Sequence, residues 1–95
     1  MEKRLAEVTI VHHWTGEPVV LPPQRHSAAW FFGSDRMKAA LLLCRLLIRP
    51  GDVVFDVGGH IGYVAMYFGS LVGPEGRVFT FEADPGELPY LRQNA

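Results

Sequence analysis

A glycine-rich bend, Gly58-Gly59-His60-Ile61-Gly62, follows the short apolar run Val53-Val54-Phe55-Asp56-Val57, and a second run, Val78-Phe79-Thr80-Phe81, ends in Glu82. Where a chain leaves a buried strand through glycines, its backbone can approach a ligand that any Cβ would push away. An acidic side chain at the tip of the neighbouring strand, about 20 residues further on, lies beside the same crevice, where its carboxylate can accept hydrogen bonds from both hydroxyls of a ribose. Glu82 stands at that separation from Gly62. The chemistry implied is recognition of a nucleoside.

The glycine spacing narrows the choice. A dinucleotide pattern G-x-G-x-x-G begun at Gly58 requires glycine where His60 and Tyr63 stand, and a phosphate-binding loop requires Gly-Lys-Ser/Thr after Ile61 or Gly62. Neither is present. What stands is Asp56-x-Gly58-x-x-x-Gly62, which resembles motif I of class I S-adenosylmethionine-dependent methyltransferases. The longer wording, Val54 to Tyr63 followed by Gly76-Arg77-Val78-Phe79-Thr80-Phe81-Glu82-Ala83-Asp84-Pro85 and Leu91-Arg92-Gln93-Asn94, is similar to the FkbM family of these enzymes.

That resemblance covers residues 51–95 and implies a Rossmann-like α/β fold with S-adenosyl-L-methionine as cofactor. It implies that Asp56 positions the amino-acid part of the cofactor, that Gly58, Gly59 and Gly62 leave room for it, that Glu82 holds the ribose and that Ala83 borders the adenine. His60, in place of the motif's middle glycine, and Tyr63 complete the cofactor-binding set, with packing of the first helical turn as the alternative role for Tyr63. The acceptor implied is a hydroxyl oxygen, on a small molecule or a glycan. Methyl transfer from a sulfonium is an in-line displacement, so the protein must align donor and acceptor and supply a base for the departing proton. The sequence points to no residue as that base.

The elements that must position these residues follow from the pattern. After the bend, Ile61, Val64, Ala65, Phe68, Leu71 and Val72 recur at helical spacing until Gly73-Pro74 stops them. Strand, glycine turn, helix, strand and acidic residue predict a right-handed βαβ unit, with both strands apolar enough to be buried on two faces. Asp84-Pro85 opens a further helix, with Asp84-x-x-Glu87 in the capping-box pattern, or with Pro89 in the first turn of a helix that starts later. A whole class I methyltransferase sheet has seven strands, so two predict a truncated or partial chain that lacks the acceptor half and full activity, with an open edge and an uncovered face prone to self-association.

Upstream, Val8 and Ile10 run to a turn at Trp14-Thr15-Gly16-Glu17, and Val19 to Leu21 lead out before Pro22-Pro23, which predicts a hairpin. His12 and His13 are adjacent, so their side chains point to opposite faces of a strand; solvated or edge histidines are expected there, not a metal pair. Trp30-Phe31-Phe32-Gly33 reads as aromatic packing between hairpin and helix. Ser34 or Asp35 caps a helix whose apolar stripe is Met37, Ala40, Leu41, Cys44, Leu47 and Ile48, with Cys44 as a packed thiol, and Pro50-Gly51-Asp52 ends it. The chain thus divides into a hairpin and helix over 1–50 and half of a cofactor domain over 51–95.

Composition sets the outer bounds. The chain has 95 residues, 48% apolar, enough for one small folded unit or part of a larger one. A formal charge of −1 gives no electrostatic grip on a phosphate backbone, so no nucleic-acid partner is expected. One cysteine allows no internal disulfide, and a reducing cytoplasm fits. Glycines, His60 and Ser70 interrupt the uncharged stretch from Val57 to Pro74, which argues against a membrane span. Taken singly, Asp56 can be a turn cap and Glu82 and Asp84 ordinary carboxylates; a different nucleotide enzyme or a non-catalytic interaction module are the other readings. Glu82 and Asp84 share a strand face, but no third metal ligand accompanies them.

Overall fold

A computed structural model of the chain describes residues 7–22 and 31–94. Trp30 and Pro23, named above, lie outside them. The hairpin forms as its pattern predicts: β1 (Val8–Val11) pairs antiparallel with β2 (Pro18–Leu21), Ile10 opposite Val19. Its turn is closed by His12 N–H on the Glu17 carbonyl at 2.8 Å, with Gly16 at φ +77°, where a side chain would be strained.

Helix α1 (Asp35–Leu47) starts at Ser34, whose hydroxyl accepts from Met37 N–H at 3.3 Å, and Asp35 sits in its first turn, where a carboxylate meets the positive end of the helix. It leaves at Ile48, and the chain reverses through Gly51 at φ +88°. The expected stripe is only partly buried. Leu41 is enclosed and Met37 and Cys44 pack against the core, but Ala40 and Leu47 face outward, Leu47 at 68% exposure. The helix meets the rest of the described residues along a line narrower than its apolar surface, so Leu42, Leu43 and Leu46 are exposed as well.

The second half is the strand–helix–strand unit: β3 (Val53–Val57), α2 (Tyr63–Val72) and β4 (Arg77–Phe81), with β3 and β4 paired in parallel, Val53 beside Arg77 and Val57 beside Phe81. Helix α2 covers one face, where Val54, Asp56, Val78 and Thr80 point. The other face, Val53, Phe55, Val57, Phe79 and Phe81, is exposed, and Phe55 packs edge-on against Phe79 and Phe81. The expectation of strands buried on both faces is therefore corrected: among the described residues the pair is covered once. The architecture is a small α/β fold with a parallel sheet, compatible with an incomplete Rossmann-like methyltransferase fold.

The final helix, α3 (Leu88–Asn94), begins later than Asp84. Asp84 Oδ1 instead accepts from Gly86 N–H at 2.9 Å, a local turn that competes with capping, and Pro89 falls in the first turn, where its missing N–H is tolerated. The capping-box reading of Asp84 is thereby set aside. The core joins both halves of the chain: Val19 and Leu21 of the hairpin, Phe32, Leu41 of α1, and Ile61, Tyr63 and Tyr67. Tyr67, absent from the expected stripe, is buried and donates its hydroxyl hydrogen to the Leu41 carbonyl at 3.1 Å.

Candidate functional site

The bend after β3 extends the parallel ladder before it turns away. Gly58 N–H and Gly59 N–H both donate to the Phe81 carbonyl, at 2.7 and 3.0 Å. Gly58 has φ +79°, a conformation suited to glycine, and a Cβ there would meet nothing within 4 Å, so the bend is open on that side. Gly59 has a different reason to be glycine. Its Cβ would lie 2.1 Å from Thr80 Cγ2 and 3.2 Å from Asp56 Oδ2, so its small size lets the bend lie against β4. Gly62, at φ +93°, turns the chain into α2 and accepts Met66 N–H at 2.9 Å.

His60 has φ +51°, the left-handed region, which glycine adopts more readily than a residue with a side chain. Its backbone N–H donates to Glu82 Oε1 at 2.8 Å, while its imidazole is largely open to solvent. Glu82 Oε2 accepts from Asp84 N–H at 2.9 Å. These N–H groups, Asp84's first and His60's second, hold the Glu82 carboxyl below the usual range for a glutamate. Each carboxylate oxygen has acceptor capacity beyond that one bond, on a side chain that is 8% exposed. Ala83 follows at the exposed strand tip.

Asp56 sits beneath the bend on the covered face of β3, 9% exposed. Its Oδ2 has no hydrogen-bond partner among the described residues. Burial raises its carboxyl above the usual range, opposed by His60 and reinforced by the negative charge of Glu82. A desolvated acceptor beside an open bend suits a cationic or hydrogen-donating ligand group such as an ammonium.

Tyr63 is in the core. Its ring is stacked between His12, centroids 3.7 Å apart, and Phe32, 4.0 Å apart, so it packs the first helical turn and is not offered to the bend. His12 corrects the expectation of solvated histidines: it is 1% exposed, and its Nε2 lies 2.8 Å from the Tyr63 carbonyl oxygen. His13 is on the outside and meets the Tyr63 hydroxyl. Asn94, quoted above only as part of a motif, bonds both Val20 and Ile61. A cleft of about 650 Å³ beside β4, lined in part by Gly69, Gly73, Gly76, Arg77 and Gln93, contains none of the candidate residues. Among the described residues no group of three or more His, Cys, Asp or Glu can hold a metal, and no helix is long and apolar enough to cross a membrane.

Comparison with known proteins finds methyltransferases. The chain is 50% identical over 48 residues to 31-O-demethyl-FK506 methyltransferase FkbM of Streptomyces tacrolimicus, covering 50% of this chain and 18% of that protein. It is 41% identical over 54 residues to a protein-L-isoaspartate O-methyltransferase of Methanothrix thermoacetophila, covering 56% of this chain and 26% of that one. A protein of the same name from Ignicoccus hospitalis is 50% identical over 38 residues, 40% of this chain and 18% of its own length. The matched stretch thus spans only 18 to 26% of these relatives. No family model matches the chain, and no solved structure does. The partial similarity, to methyltransferases of two kinds, supports S-adenosylmethionine-dependent methyl transfer in general.

Proposed function

We propose that this chain carries the cofactor-binding part of an S-adenosylmethionine-dependent methyltransferase of FkbM type, acting on a hydroxyl oxygen of a small molecule or glycan. The observation that carries the reading is the bond from His60 N–H to Glu82 Oε1, which joins the glycine bend to the strand-tip carboxylate. In this reading Glu82 takes the ribose hydroxyls, Asp56 Oδ2 the ammonium, and the open side of Gly58 the body of the ligand, with Ala83 beside the adenine. The bound cofactor supplies an electrophilic methyl group; the protein's part is to hold it in line with the acceptor. Similarity to an enzyme named for a 31-O-demethyl substrate supports an oxygen acceptor. Self-association through the free strand edges and the exposed Phe55, Phe79 and Phe81 face belongs to the same reading.

Calorimetric titration with S-adenosylhomocysteine tests it. Wild type should bind, and Glu82→Ala should weaken the dissociation constant by about tenfold or more, because charge-assisted bonds to two hydroxyls are lost. A wild type that shows no binding at millimolar ligand, or a Glu82→Ala protein that binds equally well, refutes the proposal and favours a non-catalytic module.

A further inference from the structure

The carbonyl groups on either side of Gly62 are both held by side chains from outside the strand–helix–strand unit. Asn94, the last residue of α3, donates from Nδ2 to the Ile61 carbonyl at 2.8 Å. The same carboxamide accepts Val20 N–H at 2.8 Å and donates to the Val20 carbonyl at 3.0 Å, taking the place of a strand neighbour to β2. From the hairpin, His12 lies with Nε2 2.8 Å from the Tyr63 carbonyl. Its Nδ1 accepts two backbone N–H groups, Trp14 at 3.0 Å and Thr15 at 3.2 Å, so Nδ1 carries no proton and Nε2–H is the donor to Tyr63. Stacking on the Tyr63 ring fixes the plane of the imidazole.

The bend needs such support. His60 holds a positive φ without being glycine, a backbone well that persists only where the surroundings over-determine it, while Gly58 and Gly62 reach positive φ without strain but bring no side chain to fix the bend. We infer that His12 and Asn94 are positioning residues for the adenosyl-binding bend, so that the N-terminal hairpin sets ligand affinity without touching the ligand. This rests on the proposed function. It also joins the hairpin and the cofactor unit into one working part.

A titration follows from the tautomer. Protonating His12 places a hydrogen on Nδ1 facing the Trp14 and Thr15 N–H groups, which breaks the turn contacts that aim the ring. The titratable neighbours facing it are His13, beside it in the hairpin, and Tyr63 from α2, and neither offers negative charge. Burial lowers the His12 pKa, and His13 adds to this, outweighing the bond to Tyr63. The stability linked to neutral His12 is therefore complete above the ordinary histidine range and is lost as pH falls below it.

S-adenosylhomocysteine titrations at about pH 7.5 and 5.5, on wild type, Asn94→Ala, His12→Ala and His12→Gln, test the inference. Asn94→Ala and His12→Ala should each weaken binding about tenfold at the higher pH, each removing a side-chain bond to a carbonyl beside Gly62. His12→Gln keeps a donor for the Tyr63 carbonyl and should restore most of the affinity. Wild-type affinity should fall with acid more steeply than that of His12→Gln, and the difference between the two profiles isolates His12. In ligand-free wild type, the Gly62 and Tyr63 amide resonances should shift with the His12 ring titration. Absent wild-type binding at the higher pH refutes the proposed function itself. Wild-type binding with unchanged constants in the variants and parallel pH profiles, or amide resonances that ignore the His12 titration, overturns the inference.

Discussion

Gly59 offers the sharpest test of how the bend is built, because its neighbours distinguish packing from backbone strain. A Cβ added there would lie 2.1 Å from Thr80 Cγ2, far inside contact distance, and the β-branched threonine has little rotamer freedom with which to move away. Overpacking of this kind costs about 1–3 kcal/mol, and removing a glycine from the unfolded chain returns about 0.4–1 kcal/mol, so Gly59→Ala should destabilise by roughly 1–2 kcal/mol. For a chain of this size that lowers the thermal midpoint by about 4–16 °C. Thr80→Ser removes the offending methyl group and leaves the hydroxyl, so the double variant should recover most of the loss, giving a coupling of about 1 kcal/mol or more. Gly58→Ala supplies the contrast. Its cost of roughly 1–2 kcal/mol comes from φ +79°, with no neighbour within 4 Å of the added Cβ, and Thr80→Ser should leave it unchanged. Thermal unfolding by circular dichroism on wild type, the three single variants and the two double variants measures both cycles. A Gly59→Ala protein as stable as wild type, or one that Thr80→Ser fails to relieve, refutes the argument that the bend lies directly against β4.

Two further outcomes follow from burial and from charge. Leu41→Ala, at a side chain 2% exposed, should cost about 2–5 kcal/mol, whereas Val57→Thr, at 82% exposure, should change stability by no more than about 0.5 kcal/mol; a large loss at Val57 in urea unfolding would mean that the outer face of the strand pair is covered. Glu82 has a lowered carboxyl pKa, so its contribution is present above the ordinary carboxyl range and disappears as pH falls through the lowered value. The stability gap between wild type and Glu82→Gln in urea should accordingly be widest near neutrality and close in acid, and a gap independent of pH would contradict the assigned bonds.

The short-range features were legible because they are written in local order. Apolar runs, glycine pair and strand-tip acid lie within about 30 residues, the length of one strand–helix–strand unit, and chain connectivity alone brings Glu82 to the bend. The hairpin and the helix cap at Ser34 are likewise local. The histidine pair misled for a related reason: alternation along a strand says that His12 and His13 face apart, but not which of the two faces meets another element. Helical spacing similarly named an apolar stripe on α1 without saying how much of it would find a partner, and Leu47 is left outside.

Local order along the chain sets the strand–bend–helix–strand succession, the glycines at Gly58 and Gly62 where φ is positive, and the separation that puts a carboxylate beside them. Tertiary structure alone decided that His12 and Asn94 hold the bend, across 51 residues to Tyr63 and 33 to Ile61, and that Gly59 must be small because Thr80 lies against it. The physical reason is that backbone conformation is set by neighbours in the chain, whereas a buried hydrogen bond or a close contact depends on which surfaces meet once the core of both halves has closed.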